Sequence, residues 1–421
     1  MPAKKKFANY FSHKQFSPGT PTLTNAGRRD HQHSALSSCV VIPVDLSNKE
    51  TAKAKIASYY RQNMGSGFDL TPYDDPVSLL DWLNSLSVEE TATGTYDRYI
   101  GNMGNLHVSH SQIRNFIEIK KNKHIPHFNI SVDVDDKFMS AATEKRPYTL
   151  HDGTQINAND LLWSMAECAW TNGDPGIISL ERMNRDNPVA DIYPYVSTPP
   201  CSEMGLSIGE TCQFGYINIA GFIKTDHQNI DWLQLEDAVR VLTRALDNAI
   251  EVSLENYPDI LSKALAKYKR KIGLGLCGVA DALIMLEIPY DSNPARDLVR
   301  NVVSFINYIS KETSVELAKV RGSCHAMQTK KGNKYYDTYL ETRYGKGTEI
   351  VSSEQWLKLA RTIKETGLLR NILTTALPPT GRASILMDVT SSLEPIFSAS
   401  KWNETTKLAI QSFVKKRVGL N

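Results

Sequence analysis

Residues 127–134 read HFNISVDV, a run of eight residues rich in apolar and β-branched side chains. Its length and composition indicate a buried strand. Three further runs have the same character: SCVVIPV at 38–44, GIISL at 176–180 and YINIA at 216–220. The fold is therefore expected to contain several buried strands.

Amphipathic helical patterns separate these strands. One begins near Asn157, a second begins near Asp231 and a third spans 293–319, each with apolar residues returning on one helical face. Strands that alternate with helices predict parallel pairing and an α/β architecture. This pattern leaves two arrangements open, a doubly wound sheet and a barrel.

The charge balance restricts the ligands of this chain. Its 421 residues include 48 Lys and Arg against 46 Asp and Glu, a net charge of +2. Binding to a phosphate backbone or an anionic membrane requires clustered positive charge. We therefore expect no nucleic-acid partner and no membrane partner, and local sites must hold any charged ligand.

The cysteine spacing and the apolar runs predict a cytoplasmic protein. The six cysteines form no CxxC or other close pair, so neither a disulfide framework nor a metal site is predicted. The N-terminus, MPAKKKFANYFSHKQF, lacks the apolar core of a signal peptide. The longest apolar stretch, 272–286, is interrupted by Asp281, so no membrane-spanning segment is predicted.

Three cysteines have unusual sequence neighbours. Cys39 opens a predicted strand, Cys201 follows two prolines, and Cys212 precedes the YINIA run. A free cysteine is more often a small buried residue than a catalyst, and Cys168 and Cys277 fit that description. Packing therefore remains an alternative for each of the three.

Cys201 differs from the other cysteines in the stiffness of its surroundings. Pro199 and Pro200 restrict the backbone before it, and Glu203 could supply a carboxylate two residues later. A rigid loop with a thiol and a carboxylate suits a reactive group that must be held in one place.

The segment LPPTGRASI at 377–385 predicts an anion site. Prolines followed by Thr, Gly and Ser at a helix start offer backbone N–H groups to an anion, and Arg382 adds a positive charge. The alternative is an ordinary helix start with Thr380 as the capping residue. The glycine-bearing runs at 63–68 and 98–106 match no nucleotide-binding pattern, and they predict simple turns.

Taken in order along the chain, these segments resemble the catalytic subunit of the ribonucleotide reductases. The resemblance covers about 17–397 and rests on ten ordered motifs: TPTLTNAG, LSSCVV, GSGFDL, DRYIGNMGNL, FNISVDVDDKFM, NGDPGIISLERMNR, PPCSEMGL, ETCQFGYINI, KIGLGLCGVADAL and GLLRNILTTALPPTGRASILMDVTSSLEPIF. It implies a ten-stranded α/β barrel of the ribonucleotide reductase and glycyl-radical type. A central finger loop would carry the radical cysteine, and residues 1–421 would form a single catalytic domain.

The resemblance also implies an activity and four catalytic residues. Cys201 matches the thiyl-radical cysteine that takes the 3′ hydrogen of the ribose, and Glu203 matches the base at the 3′ hydroxyl. Cys39 and Cys212 match the dithiol pair that reduces the 2′ position and ends as a disulfide. The expected reaction converts ribonucleotides, with diphosphates as the expected substrates, into deoxyribonucleotides for DNA synthesis.

Two sets of binding residues follow from the same resemblance. The substrate set is Thr20, Ser38, Pro199, Thr380, Gly381, Arg382, Ala383 and Ser384, in which Pro199 replaces the family's usual asparagine. The second set forms a specificity loop and a site for a deoxynucleotide triphosphate effector, such as dTTP, at the interface of a homodimer: Arg98, Asn102, Met103, Gly104 and Asp45.

The ends of the chain suggest a minimal, bacteriophage-type member. The first motif begins at Thr20, which leaves no room for an N-terminal ATP-cone, and the shortened C-terminus lacks the family's cysteine pair and relay tyrosines. No cofactor is expected to bind this chain directly. The favoured radical source is a ferritin-like partner subunit with a dinuclear metal site, and adenosylcobalamin is the alternative.

Other readings of the same residues remain open. A thioredoxin-like protein or another external dithiol is the expected reductant. The chain could also be a catalytically inactive, nucleotide-binding paralogue, because Pro199 removes an amide. A plain thiol oxidoreductase would use Cys39 and Cys212 alone.

Overall fold

The computed structural model describes residues 3–28, 33–93, 99–224 and 229–396. Within these ranges the chain forms ten β-strands: β1 Phe16–Pro18, β2 Cys39–Val41, β3 Gly65–Asp69, β4 Asn102–His107, β5 Phe128–Asp133, β6 Pro147–Thr149, β7 Gln155–Asn157, β8 Gly176–Ile178, β9 Thr211–Asn218 and β10 Ile272–Cys277. All four strands expected from the sequence are present, and β9 begins earlier than predicted.

The same ranges contain fifteen α-helices, most of which lie between consecutive strands: α1 Ala3–Ser12, α2 Thr20–Asn25, α3 Lys49–Tyr60, α4 Pro76–Ala92, α5 Ile113–Asn122, α6 Asp136–Thr143, α7 Ala158–Asn172, α8 Leu180–Arg185, α9 Trp232–Ser253, α10 Ile260–Lys269, α11 Val279–Met285, α12 Asn293–Arg321, α13 Tyr339–Tyr344, α14 Ser353–Thr366 and α15 Gly381–Met387. The predicted α/β class is confirmed. No helix in the described ranges is long and apolar enough to cross a membrane.

The three helices expected from the sequence are present and begin at Ala158, Trp232 and Asn293, each directly after a residue that caps it. Asn157 caps α7 by accepting hydrogen bonds from the N–H groups of Asn159 and Asp160. Asp231 caps α9 in the same way through Gln234 N–H, and the side chain of Ser292 caps α12. These side chains satisfy backbone donors that would otherwise lack partners at the helix start.

The described residues group into two units. The first contains the residues up to Ser37, Cys212–Glu255 and the chain from Ala266 onward, and the second contains Ser38–Thr211 and Asn256–Leu265. The expectation of a single catalytic domain over 1–421 stays a prediction.

In the second unit, five parallel strands form one sheet in the order β2-β3-β4-β5-β8, and β6 and β7 form a separate hairpin. Met103 pairs with Gly67 on one side and with Asn129 on the other. Paired residues of parallel strands point to the same face, so Gly67, Met103 and Asn129 share one face with Gly65. We call this face, defined by these four residues, the loop-facing side.

The HFNISVDV run shows how the two faces of this sheet differ. Three alternate residues of β5 are apolar and almost fully buried: Phe128, Ile130 and Val132. The residues between them lie on the loop-facing side and are polar: Asn129, Ser131 and Asp133. The sheet thus packs one apolar face in its core and presents polar groups on the other.

In the first unit, β9 pairs antiparallel with β1 and parallel with β10. The segment that leads to LPPTGRASI runs parallel to β10, where Leu274 N–H donates to Thr374 O at 2.8 Å. A buried charge cluster holds the start of this segment: Asp247 accepts hydrogen bonds from Arg270 and Arg370. Burial alone would raise the pKa of Asp247, but the surrounding arginines outweigh that effect and lower it.

Candidate active site

Residues 197–206 form a loop whose two ends pair with each other. Leu206 N–H donates to Ser197 O at 2.8 Å, which closes the loop at its base. At its tip, Ser202 N–H donates to Pro199 O at 3.0 Å, and Ser202 has a φ of 59°. Because two fixed prolines precede it, this turn presents Cys201 on a stiff support.

Two glycines of β3 let this loop lie directly on the sheet. A Cβ atom on Gly67 would lie 2.2 Å from the carbonyl oxygen of Thr198. A Cβ atom on Gly65 would lie 2.9 Å from Cγ of Pro200 and 3.5 Å from Sγ of Cys39. The sequence predicts a simple turn at 63–68, but Gly65 and Gly67 lie within β3, where only glycine permits this close approach.

Replacing Gly67 with alanine is expected to lower the free energy of unfolding by about 1–3 kcal/mol, because the new methyl group overlaps a backbone oxygen that cannot move aside. Gly101→Ala is the matched control, since the nearest heavy atom to its Cβ position lies 3.9 Å away. Urea unfolding of both variants measures the difference. Equal stability of the two variants would contradict the close contact between β3 and the loop.

The structure brings Cys39 next to the tip of the loop. Cys39 begins β2 and is buried, with its sulfur close to the Gly65 position on which Pro200 packs. Cys201 is exposed, whereas the other five cysteines of the chain are buried. Glu203 lies in the same loop, and its Oε2 atom is buried. In this unit, the geometry therefore gathers two of the predicted catalytic cysteines and the predicted base.

Cys212 lies in β9 of the first unit and is buried there. Its pairing with Cys39 stays a prediction. Cys168 and Cys277 are buried as expected for packing residues, and burial raises the pKa of the Cys277 thiol.

Sequence reasoning missed Asn129. Its Nδ2 atom donates a hydrogen bond of 2.7 Å to the carbonyl oxygen of Pro200. Asn105, on the neighbouring strand β4, donates in the same manner to Val196 O near the base of the loop. The alternation of polar and apolar residues in HFNISVDV could have indicated this contact. It places the polar residues of β5 on one face, where they can bond to the backbone of a segment that packs there.

The far end of β5 carries a buried carboxyl group. Asp133 Oδ1 accepts a hydrogen bond of 2.8 Å from Leu180 N–H. Burial raises the pKa of Asp133 to about 7, and the nearby charges of Asp69, Asp135 and Glu181 act in the same direction. The folded state therefore holds a proton there more tightly than the unfolded chain does.

Replacing Asp133 with asparagine is expected to stabilise the protein above pH 7 by roughly 2–4 kcal/mol. In the native protein, stability is lost as the pH rises from about 4 to about 7, because ionisation is easier in the unfolded state. The gain should vanish below pH 4, where the carboxyl is protonated in both states. Thermal unfolding of the native protein and the variant between pH 4 and 8 measures this gain at each pH. Asp152→Asn, at an exposed position, is the control. A gain that does not change with pH would contradict the burial argument.

The predicted anion loop is built around Thr380, which has a φ of 60° and precedes α15. Thr380 occupies the N-cap position of α15, but its hydroxyl makes no capping bond and instead accepts a hydrogen bond from Ser392 N–H at 2.9 Å, so it is not an ordinary cap. The N–H groups of Gly381 and Ala383 donate to no described residue. Arg382, between them in the chain, is exposed.

The remaining substrate residues fall in both units. Thr20 begins α2 directly after β1, and α15 packs on β1, so Thr20 shares the neighbourhood of the anion loop. The hydroxyl of Ser384 donates to Gly381 O, and Ala383 is buried. Ser38 belongs to the second unit, where its carbonyl accepts from Gly65 N–H at 2.9 Å.

The predicted specificity residues lie mainly within β4. Asn102 is buried, and its side chain donates to Ser87 Oγ and to His127 O. Met103 is also buried, and a Cβ on Gly104 would contact core side chains. Arg98 lies outside the described residues. Tyr99, the next residue after Arg98, is exposed, and its ring stacks on His127.

Asp45 lies on the surface, one residue before Leu46, which lines a cavity of about 380 Å³. Its carboxylate accepts hydrogen bonds from the N–H and the hydroxyl of Ser47, which lower the pKa of Asp45. Lys49 and Trp82 line the cavity, with Lys49 Nζ 6.0 Å from the centre of the Trp82 ring. In the described ranges, no group of three or more His, Cys, Asp and Glu side chains could hold a metal ion.

A protein-family model described as "Ribonucleotide reductase, barrel domain" matches residues 71–418. The chain belongs to the ribonucleotide reductase family. This match confirms both the family and the barrel fold class that the motifs predicted.

Curated relatives of this reductase chain carry two kinds of name. Relatives from Thermoplasma acidophilum and Mycobacterium tuberculosis are named vitamin B12-dependent ribonucleoside-diphosphate reductase, with 34% and 29% identity over 416 residues and 93% and 94% of this chain covered. A Bacillus subtilis relative, 23% identical over 93% of this chain and 66% of its own length, is named ribonucleoside-diphosphate reductase subunit alpha. The chain spans about half the length of the first two relatives, 49% and 55%.

These names overturn the predicted radical source. A dinuclear metal site in a ferritin-like partner is wrong as the expected cofactor, because the relatives with the higher identity are named as vitamin B12-dependent. The hydroxyls of Tyr335 and Tyr336 donate to the carbonyl oxygens of Ile372 and Met327, as in ordinary packing.

Proposed function

We propose that this protein reduces ribonucleoside diphosphates to deoxyribonucleotides by thiyl-radical chemistry with adenosylcobalamin as the radical source. The observation that carries the proposal is the turn at 199–202, which presents the exposed Cys201 on the same loop as Glu203 and packs Pro200 at Gly65, close to the sulfur of Cys39. Membership of the reductase family and the names of its B12-dependent relatives support this function.

In this proposal each catalytic residue of the chain has one task. The Cys201 thiyl radical takes the 3′ hydrogen of the ribose while Glu203 takes the proton of the 3′ hydroxyl. The thiols of Cys39 and Cys212 supply two electrons and two protons, the 2′ hydroxyl leaves as water, and the two sulfurs form a disulfide. Cys201 then returns its hydrogen to the 3′ carbon, Glu203 returns the proton to the 3′ oxygen, and an external dithiol, such as a thioredoxin-like protein, reduces the disulfide.

The described residues fit a cofactor that comes from outside the chain. Cys201 is exposed on a turn that its prolines hold rigid, so an external group can reach the sulfur. Adenosylcobalamin, when bound, supplies the radical chemistry that this thiol cannot start unaided. We place the reaction in the cytoplasm, where thiols remain reduced.

Substrate and effector sites complete the proposal. The N–H groups at 381 and 383, which donate to no residue in the described part of the chain, would hold the substrate phosphates together with Arg382. A deoxynucleotide triphosphate such as dTTP would bind near Asp45, at the cavity that Leu46 lines. There Lys49 offers a positive charge and Trp82 an aromatic face, beside the carboxyl groups of Asp74 and Asp75. As the resemblance implies, we propose that this second site lies in a homodimer.

The test is formation of deoxynucleotide by the purified protein supplied with a ribonucleoside diphosphate, dithiothreitol and adenosylcobalamin. Product that depends on Cys201 supports the proposal. Product at equal rates with and without the Cys201 thiol would overturn it.

A further inference from the structure

The backbone directly before Cys201 lacks hydrogen-bond donors at two consecutive residues. Pro199 and Pro200 have no N–H groups, so at these two residues the backbone can be anchored only through its carbonyl oxygens. Pro199 O accepts from Ser202 N–H within the turn. Pro200 O accepts from Asn129 Nδ2 at 2.7 Å, across 71 positions of sequence.

Pro200 is consequently held from two strands. Its ring packs on Gly65 of β3, where a Cβ atom would come within 2.9 Å, and its carbonyl is bonded by Asn129 of β5. Gly65 and Asn129 both lie on the loop-facing side of the sheet. The carbonyl of Pro200 belongs to the planar peptide unit that includes the nitrogen and Cα of Cys201, so any rotation of that plane moves the thiol.

We propose that Asn129 is a positioning residue, which sets the direction of the Cys201 thiol by holding the Pro200–Cys201 peptide plane. Its side-chain amide donates to the carbonyl oxygen of Pro200, the only backbone group through which that proline can be anchored. The effect of Asn129 on the conformation of the turn does not depend on the activity of the protein. Its effect on the rate of deoxynucleotide formation rests on the proposed function.

Asn129→Asp and Asn129→Ala both remove the donor at neutral pH, and Asn122→Asp is the matched control. Asn122 is exposed on α5, and its side chain bonds to no described residue. Hydrogen exchange of the segment 197–206, measured by mass spectrometry on the intact protein, reports opening of the turn independently of activity. We expect exchange about five- to tenfold faster in both Asn129 variants at pH 8 and unchanged in the control.

The pH profile separates a hydrogen bond from general packing. A protonated carboxyl regains an O–H donor, so Asn129→Asp should return toward native exchange near pH 4, after correction for intrinsic rates, while Asn129→Ala should not. In the activity assay, kcat should fall about tenfold in both variants at neutral pH, with KM within twofold of native.

Two results would overturn the inference. Exchange within twofold of native in both Asn129 variants at pH 8 would show that the amide does not hold the turn. Faster exchange with an unchanged kcat would show that the turn does not set the thiol for catalysis. If the native protein makes no deoxynucleotide, the proposed function fails, while the exchange measurements still decide whether Asn129 holds the turn.

Discussion

Cys201→Ser is expected to lower deoxynucleotide formation by on the order of 10⁴-fold or more, because a hydroxyl does not replace the thiol as the hydrogen acceptor and donor. The exposed position of Cys201 means that the change should leave the core, and hence the melting temperature, nearly unchanged. Product is measured by chromatography of labelled nucleotides, and stability by thermal unfolding.

Cys168→Ala is the matched control for this experiment. Cys168 is buried in α7, away from the loop at 197–206 in sequence and in no proposed role, so turnover should stay near the native rate. If the native protein makes no more product than Cys201→Ser does, the chain is a nucleotide-binding paralogue without activity. If both proteins oxidise dithiols equally well, a thiol oxidoreductase that uses only Cys39 and Cys212 is the better description.

Omitting adenosylcobalamin is expected to reduce turnover at least about 100-fold, because no side chain of the protein makes a thiyl radical unaided. The measurement is deoxynucleotide formed by the purified protein with dithiothreitol, with and without the cofactor. Cyanocobalamin is the control, since it has the same corrin ring without the adenosyl group. Full activity without adenosylcobalamin would contradict the proposed radical source.

Local patterns predicted the secondary structure well because helices and strands depend on neighbouring residues. The HFNISVDV run forms β5, and Asn157 and Asp231 cap the helices that follow them. The stiffness of the turn around Cys201 could also be inferred, since proline restricts its own backbone.

Interpretations that needed a distant partner were less successful. The Thr380 hydroxyl was open to a capping role, yet it bonds to Ser392 N–H twelve residues later. Gly65 and Gly67 looked like turn residues, although their small size serves the close approach of Thr198 and Pro200. The spacing of residues along the chain does not predict contacts between residues that are distant in sequence.

The sequence by itself determined the family, the α/β class and the residues proposed for chemistry. Motif order and hydrophobic periodicity depend only on the order of residues along the chain, so they need no tertiary structure. Only the tertiary structure decided that Cys39 lies beside the loop of Cys201, and that Asn129 bonds to Pro200. Both facts depend on strand register, which places residues far apart in sequence within bonding distance and is set by the packing of the whole sheet.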